Sequence, residues 1–351
     1  MLEAHAIMNL ISKALLWIGE QDTPLKKDRL KDYVTDSVIN YYNHKSKEPK
    51  LNYKPGKLLL DSGAFTAAMR GLELSRERVA LIQEKLNPDL AIPLDYPLKP
   101  GMTLKAMQRS WEKTKENILY WQYNTKLSGK LMPTLHSWSN SSLNENLRWI
   151  YKHVDAEYIA LGVIVNPSFT SFTGFFKDRQ PTPEMLSNIH KAITLIKRET
   201  DFKVHIMGMG SSPLMLHLAY FMGADSTDSA GHRRKAAYGK IILPGMGERY
   251  VCNRTGRFSR KKLSLRELEI LKECECEVCR KNQALLYTDW RARAIHNEFV
   301  IKEEARKARK FLASGFDVYE YYLDGIFSNS KYGLQYLWRH VKVLVKYAPI
   351  R

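Results

Sequence analysis

The sequence predicts an α/β fold, a (β/α)8 TIM-like barrel followed by a C-terminal helical extension, and three observations predict it. Short apolar runs that end in a polar or glycine residue alternate with amphipathic helical stretches. The polar residues fall at the carboxyl ends of those runs. After about Pro244 the rhythm stops and a basic, irregular stretch takes over.

The runs come in order. Lys57 to Leu60 leads to Asp61, Leu90 to Leu94 to Asp95, and Leu131 to Leu135 to His136. Tyr158 to Leu161 then leads to Gly162, Val204 to Met207 to Gly208, and Ala224 stands before Asp228. Helical spacing lies between them, as at Val79, Ile82 and Leu86 or at Ile189, Ile193 and Ile196. Alternation of this kind implies a parallel sheet. An open doubly wound sheet would gather its polar groups at one crevice, whereas a barrel collects them from many strand ends, which favours the barrel. Residues 1 to 50 read as helix-like and polar, without a clear first strand. Two domains are expected, a barrel over 1–245 and a basic, helical extension over 246–351. Within the extension, Ala294 to Phe311 reads as helical, and the aromatics from Tyr319 to Tyr347 read as packing residues, with base stacking as the other option.

The chain of 351 residues has 44% hydrophobic content, enough for one large core and an appendage. No apolar stretch approaches the roughly 18 to 20 residues that span a bilayer, so a cytoplasmic protein without membrane contact is expected. Lys and Arg exceed Asp and Glu by 55 to 37, a net charge of +18, which suits a polyanionic partner. The segment from Gly231 to Arg293 holds 16 of these cations against 7 acids, and so carries half of the excess. Arg233, Arg234, Lys235, Arg260, Lys261 and Lys262 are the expected nucleic-acid contacts, against the plainer reading of a solvated basic face.

Three of the four cysteines lie in Cys274-x-Cys276-x-x-Cys279. Thiols this close are metal ligands more readily than a disulfide framework, and three thiolates leave one tetrahedral position to fill.

Four local features, taken in order, resemble the tRNA-guanine transglycosylase superfamily. Asp61-Ser62-Gly63-Ala64-Phe65-Thr66 is similar to its Asp-Ser-Gly-Gly-aromatic-Gln loop, and Pro93-Leu94-Asp95-Tyr96-Pro97 to its strand-end aspartate. Met207-Gly208-Met209-Gly210 followed by Gly223-Ala224-Asp225-Ser226-Thr227-Asp228 resembles Met-Gly-x-Gly and Gly-x-Asp-x-x-Asp. The cysteine cluster followed by His296-Asn297 resembles the family's zinc site.

The resemblance implies roles. Asp228 is the nucleophile on C1′, with Asp225 structural, and Asp61 is the general acid–base on the purine. Each has a plainer alternative, since Asp61 also suits a turn and Asp95 a helix N-cap. Asp95 would read the guanine edge by accepting from N1–H and the 2-amino group. Phe65 and Met207 would sandwich the base unless they are core, and the backbone at Gly162 and Gly208 would approach it. His136 stands where the family usually has a base-reading glutamine, either as an altered base contact or as a satisfied interior histidine. Cys274, Cys276, Cys279 and His296 would hold a structural Zn²⁺, with His340 the fallback for the fourth ligand.

Ala64 and Thr66 replace the family's Gly and Gln, and His232-Arg233-Arg234-Lys235 replaces its Thr-Arg-x-x-Arg stretch. With no further RNA-binding domain visible, these departures resemble the DNA 7-deazaguanine transglycosylase branch, deoxypurine in DNA protein A. DNA is therefore expected over tRNA, with preQ0 or a related 7-deazaguanine as the incoming base and helper proteins of a DNA-modification system as partners. The rival readings are a tRNA-guanine transglycosylase of queuosine or archaeosine type, a non-catalytic nucleic-acid-binding paralogue, and an unrelated barrel hydrolase.

Overall fold

In a computed structural model, the described residues are 14–19, 33–42, 49–99, 101–164, 181–252, 263–328 and 334–347. In chain order the elements begin with β1 (Leu15–Gly19), β2 (Tyr33–Ser37), α1 (Ile39–Tyr42), β3 (Lys57–Asp61), α2 (Ala64–Arg70), α3 (Arg76–Leu86) and β4 (Leu90–Ala91). There follow α4 (Leu104–Asn124), β5 (Thr134–Ser137), α5 (Asn140–His153), β6 (Tyr158–Ile164), α6 (Pro183–Glu199), β7 (Lys203–Ile206), α7 (Pro213–Phe221) and β8 (Ser226–Ser229). The remainder is α8 (Gly231–Ala237), β9 (Lys240–Leu243), β10 (Gly247–Tyr250), α9 (Leu265–Lys272), α10 (Glu277–Asn282), α11 (Leu285–Thr288), α12 (Trp290–Ser314), α13 (Phe316–Ser328) and α14 (Gln335–Tyr347). Eight parallel strands with intervening helices give the expected TIM-like α/β class.

The chain divides into two compact units. The larger, residues 20–207 with 343–351, contains β2 to β7. Here β2 pairs with β3 and β3 with β4, while β5 pairs with β6 and β6 with β7, all parallel. A parallel bridge between Ala91 and Leu131 joins the two sets. Strand interiors such as Leu58–Leu60 and Ile159–Leu161 are buried, and helices contribute Val79, Ile82, Leu143, Leu147, Ile193 and Ile196 to the same core. The long helices start where the sequence allows it. Ser75, Thr103, Ser139 and Thr182 each cap a helix by accepting from a backbone N–H of its first turn.

The smaller unit, residues 1–19 with 208–342, contains the parallel pair β1 and β8 and the antiparallel ribbon of β9 and β10. Its helical part is held by α12, whose residues Ala294, Val300, Ile301, Ala305 and Ala308 are buried. The helix expected from Ala294 to Phe311 lies within α12. Among the late aromatics, Tyr319, Phe327 and Trp338 are buried, whereas Tyr321, Tyr336 and Tyr347 are exposed. Tyr332 lies outside the described residues.

Two local expectations change. The helix-like reading of the first 50 residues misses β1 and β2. Both strands are five residues long and buried along their interiors without period-2 alternation, and so short a run is not distinguished by pattern from a helix segment. The run Leu90 to Leu94 contributes only Leu90 and Ala91 to the ladder. Pro93 has no N–H to donate, so pairing stops before it.

Candidate functional site

Asp61 ends β3 and is half-buried. Its Oδ2 accepts from Ser37 Oγ at 3.2 Å and from the Gly63 N–H at 3.0 Å, which fixes the carboxylate at the strand end. Ser37 is the register partner of Asp61 on the neighbouring β2, so two parallel strand ends supply the carboxylate and its donor side by side. Asp36, unrecognised in the sequence, anchors this corner. It is 3% exposed and accepts from Tyr41 Oη, Tyr53 Oη, Asn40 Nδ2 and its neighbour's backbone N–H at Ser37, at 2.6 to 2.7 Å. Burial pushes its carboxyl above the usual carboxylate range, against the pull of those four donors. The signal available was Tyr33-Val34-Thr35-Asp36-Ser37, a short β-branched run ending in Asp-Ser.

Asp95 lies just beyond β4 and is 7% exposed, and His136 on β5 is 1% exposed. His136 Nε2 is 2.8 Å from Asp95 Oδ2. Neither expectation for these residues anticipated a direct pair. Backbone clamps hold both ends. Asn117 Nδ2 donates to the Leu94 carbonyl at 2.7 Å, and Asn146 Nδ2 donates to the His136 carbonyl at 2.9 Å. Gly162 on β6 lies against the imidazole, since a Cβ there would come within 2.5 Å of His136 Cε1 and 2.7 Å of Nδ1. Only a residue without a side chain permits that approach. Phe65, in the first turn of α2, is 37% exposed and so is not a core residue, while Met207 is half-buried directly after β7.

In the smaller unit, Asp228 is half-buried on β8 beside Trp17 of β1. Its Oδ1 accepts from the Gly208 N–H at 2.6 Å. Gly208 has φ +75°, a left-handed turn that presents the amide to the carboxylate. The same loop is pinned by Gly210, whose N–H donates to Thr227 Oγ1 at 2.9 Å. The two glycine motifs therefore form one structure, a loop wrapped on the end of β8. Asp225 is buried at the start of that strand, where its carbonyl accepts from Leu15 N–H at 2.8 Å.

Cys274, Cys276, Cys279 and His296 converge in the same unit, all buried, with their ligand atoms within 4.8 Å of one another. This group can hold a metal ion. His296 Nδ1 lies 3.6, 3.5 and 3.4 Å from the three sulfurs. Zn–S of about 2.3 Å and Zn–N of about 2.0 Å at tetrahedral angles give an N···S edge of roughly 3.5 Å, so the donor set fits zinc. The other imidazole nitrogen, Nε2, donates to the Ile242 carbonyl at 2.9 Å, leaving Nδ1 as the ligand atom. Asn297 completes the clamp. Its Oδ1 accepts from Ile242 N–H at 2.7 Å, and its Nδ2 donates to the carbonyls of Lys240 and His232 at 3.1 and 3.2 Å. His-Asn thus ties the cysteine cluster and α12 to β9. His340 is not part of this group.

Of the expected phosphate contacts, Arg234 is exposed on α8 and Arg233 is half-buried. Lys235 is largely covered and forms an ion pair with Glu248 of β10, which also pairs with Lys240. Arg260, Lys261 and Lys262 lie outside the described residues. No helix among the described residues is long and apolar enough to cross a membrane.

Residues 57–321 match the family described as TGT, queuine tRNA-ribosyltransferase. The chain belongs to that family. It is also similar to archaeal proteins named tRNA-guanine(15) transglycosylase. The Methanothermobacter thermautotrophicus protein is 25% identical over 85% of this chain and 43% of its own length. Those of Thermococcus onnurineus and Thermococcus kodakarensis are 25% and 26% identical over 90% and 89% of this chain, and over 51% of their own lengths. The chain spans about half the length of these curated relatives.

Proposed function

We propose that the chain is a nucleic-acid guanine transglycosylase, a pentosyltransferase with a structural zinc. The carboxylate of Asp228 attacks C1′ of the target nucleotide, forming the aspartyl–glycosyl bond as the C1′–N9 bond breaks. Asp61 gives a proton to the departing guanine. It then takes the N9 proton of the incoming guanine or 7-deazaguanine, whose nitrogen displaces Asp228 from C1′. Asp95 accepts from the base edge, and Phe65 and Met207 lie against its faces. The observation that carries the reading is the held state of both carboxylates at strand ends, Asp228 by the Gly208 amide and Asp61 by Ser37 and the Gly63 amide. Fixed acceptors of this kind suit positioned nucleophilic and proton-transfer chemistry.

Tetrahedral Cys3His ligation leaves no open position, so the zinc serves folding rather than water activation. It would brace α12 against β9, next to the basic helix α8. The polymer is tRNA on the names of the relatives, which support it better than DNA. A second reading keeps DNA, because Ala64, Thr66 and the His232 to Lys235 stretch depart from the tRNA enzymes' motifs. Incubation with labelled guanine and either tRNA or duplex DNA separates them. Label entering tRNA alone supports the first reading, label entering DNA alone the second, and label in neither removes the proposed activity.

A further inference from the structure

We infer that His136 is a positioning and specificity-determining residue, donating Nε2–H to Asp95 so that one carboxylate oxygen is fixed and the other is presented to the purine edge. This rests on the reading of Asp95 as the base-recognition carboxylate. The distance of 2.8 Å between His136 Nε2 and Asp95 Oδ2 is that of a charge-assisted hydrogen bond. Such a bond requires the proton on Nε2. The backbone on both sides of the pair is held, since Asn146 donates to the His136 carbonyl and Asn117 to the Leu94 carbonyl beside Asp95, and the Gly162 main chain lies against the imidazole.

The second oxygen, Asp95 Oδ1, has no hydrogen-bond partner among the described residues, although the side chain is only 8% exposed. A carboxylate oxygen left outside that bond matches a ligand that brings its own N–H. The purine N1–H of a guanine-type base supplies that donor. The 2-amino group would then meet Oδ2, whose remaining acceptor capacity is already shared with His136. Recognition through Asp95 therefore falls more heavily on N1–H than on the exocyclic amine. The predicted consequence is tolerance of a base that keeps N1–H and lacks the amine.

The test uses the intact chain, with exchange of labelled guanine and competition by unlabelled guanine or hypoxanthine, in the wild type and in His136→Gln, His136→Leu and Asp95→Asn. Thermal unfolding checks that each variant folds. Wild type should be inhibited by hypoxanthine within about tenfold of guanine. His136→Leu, which has no donor, should raise KM for the base at least tenfold with a smaller change in kcat, while His136→Gln, which keeps an N–H donor, should recover most of that loss. A folded His136→Leu protein with wild-type KM, or hypoxanthine that fails to compete at a hundredfold excess, overturns the inference. If Asp95→Asn also exchanges guanine with unchanged KM, the base-recognition reading of Asp95 fails as well. A defective Asp95→Asn beside an unaffected His136→Leu rejects the role of His136 alone.

Discussion

Replacing Glu304 by Gln should cost about 3 kcal/mol of stability at neutral pH, and that cost should vanish in acid. Glu304 is 0% exposed on α12. Its Oε2 accepts from His217 Nε2 at 3.0 Å and from Tyr322 Oη at 2.7 Å, and its Oε1 pairs with Lys307 Nζ at 2.9 Å. Tyr319 Oη, 2.7 Å from His217 Nδ1, closes a network across α7, α12 and α13. Burial pushes the Glu304 carboxyl up, but the hydrogen bond and charge of His217, together with Lys307, outweigh it and hold the carboxyl at about 2, against an ordinary 4.5. At 1.36 kcal/mol per pH unit, that fall is worth about 3 kcal/mol. A depressed carboxylate stabilises the fold above its unfolded pKa, and its contribution disappears as pH drops from about 4.5 towards 2. Urea unfolding followed by tryptophan fluorescence, run on wild type and Glu304→Gln from pH 7 to pH 2.5, measures the difference. A gap under about 0.5 kcal/mol at pH 7, or one that stays constant down to pH 2.5, would mean that the ionised Glu304 carboxylate does not stabilise the fold.

Three further outcomes follow from the site. Ser37→Ala removes the hydroxyl donor from Asp61 and should lower kcat for base exchange about five- to tenfold, the equivalent of about 1 kcal/mol, with little change in unfolding temperature; an unchanged kcat would mean that Gly63 alone suffices. Asn297→Ala strips Ile242 N–H of its buried acceptor and leaves two carbonyls without a donor, so urea unfolding should show a loss of about 2 to 4 kcal/mol. Cys279→Ser should reduce bound zinc from one per chain, read by elemental analysis, and lower the unfolding temperature. Retention of both would disprove the ligand assignment.

Strand ends were most legible where a parallel strand is an apolar run that meets a polar residue or glycine. Lys57–Asp61 and Tyr158–Ile164, which carry Asp61 and Gly162, are of that kind, whereas Ser226–Ser229, which carries Asp228, has no apolar residue and was marked by its glycine and aspartate motif. The cysteine cluster was equally legible, since three thiols in six residues have few other uses, and His296 joins them from the helix that the sequence also marked. β1 and β2 were not legible. Leu15–Gly19 is apolar throughout and five residues long, and such a run fits a buried strand or a helix segment equally well. Missing β2 hid Asp36 and Ser37, whose meaning depends on a register with β3 that no local pattern encodes. The pairing of His136 with Asp95 is likewise a product of tertiary structure, as 41 residues separate the two in sequence. Charge counting marked the segment around α8 as basic, but it did not reveal that Lys235 is engaged by Glu248.

A covalent intermediate on Asp228 can be trapped. The protein is mixed with the nucleic acid that accepts label, quenched in denaturant without free base, and resolved on a denaturing gel beside Asp228→Asn and Asp225→Asn. Wild type should give a protein–nucleic acid adduct that is chased away by added guanine, and Asp228→Asn should give none, while Asp225→Asn, if folded, still forms it. An adduct formed by Asp228→Asn, or lost only in a folded Asp225→Asn, would rule out Asp228 as the nucleophile.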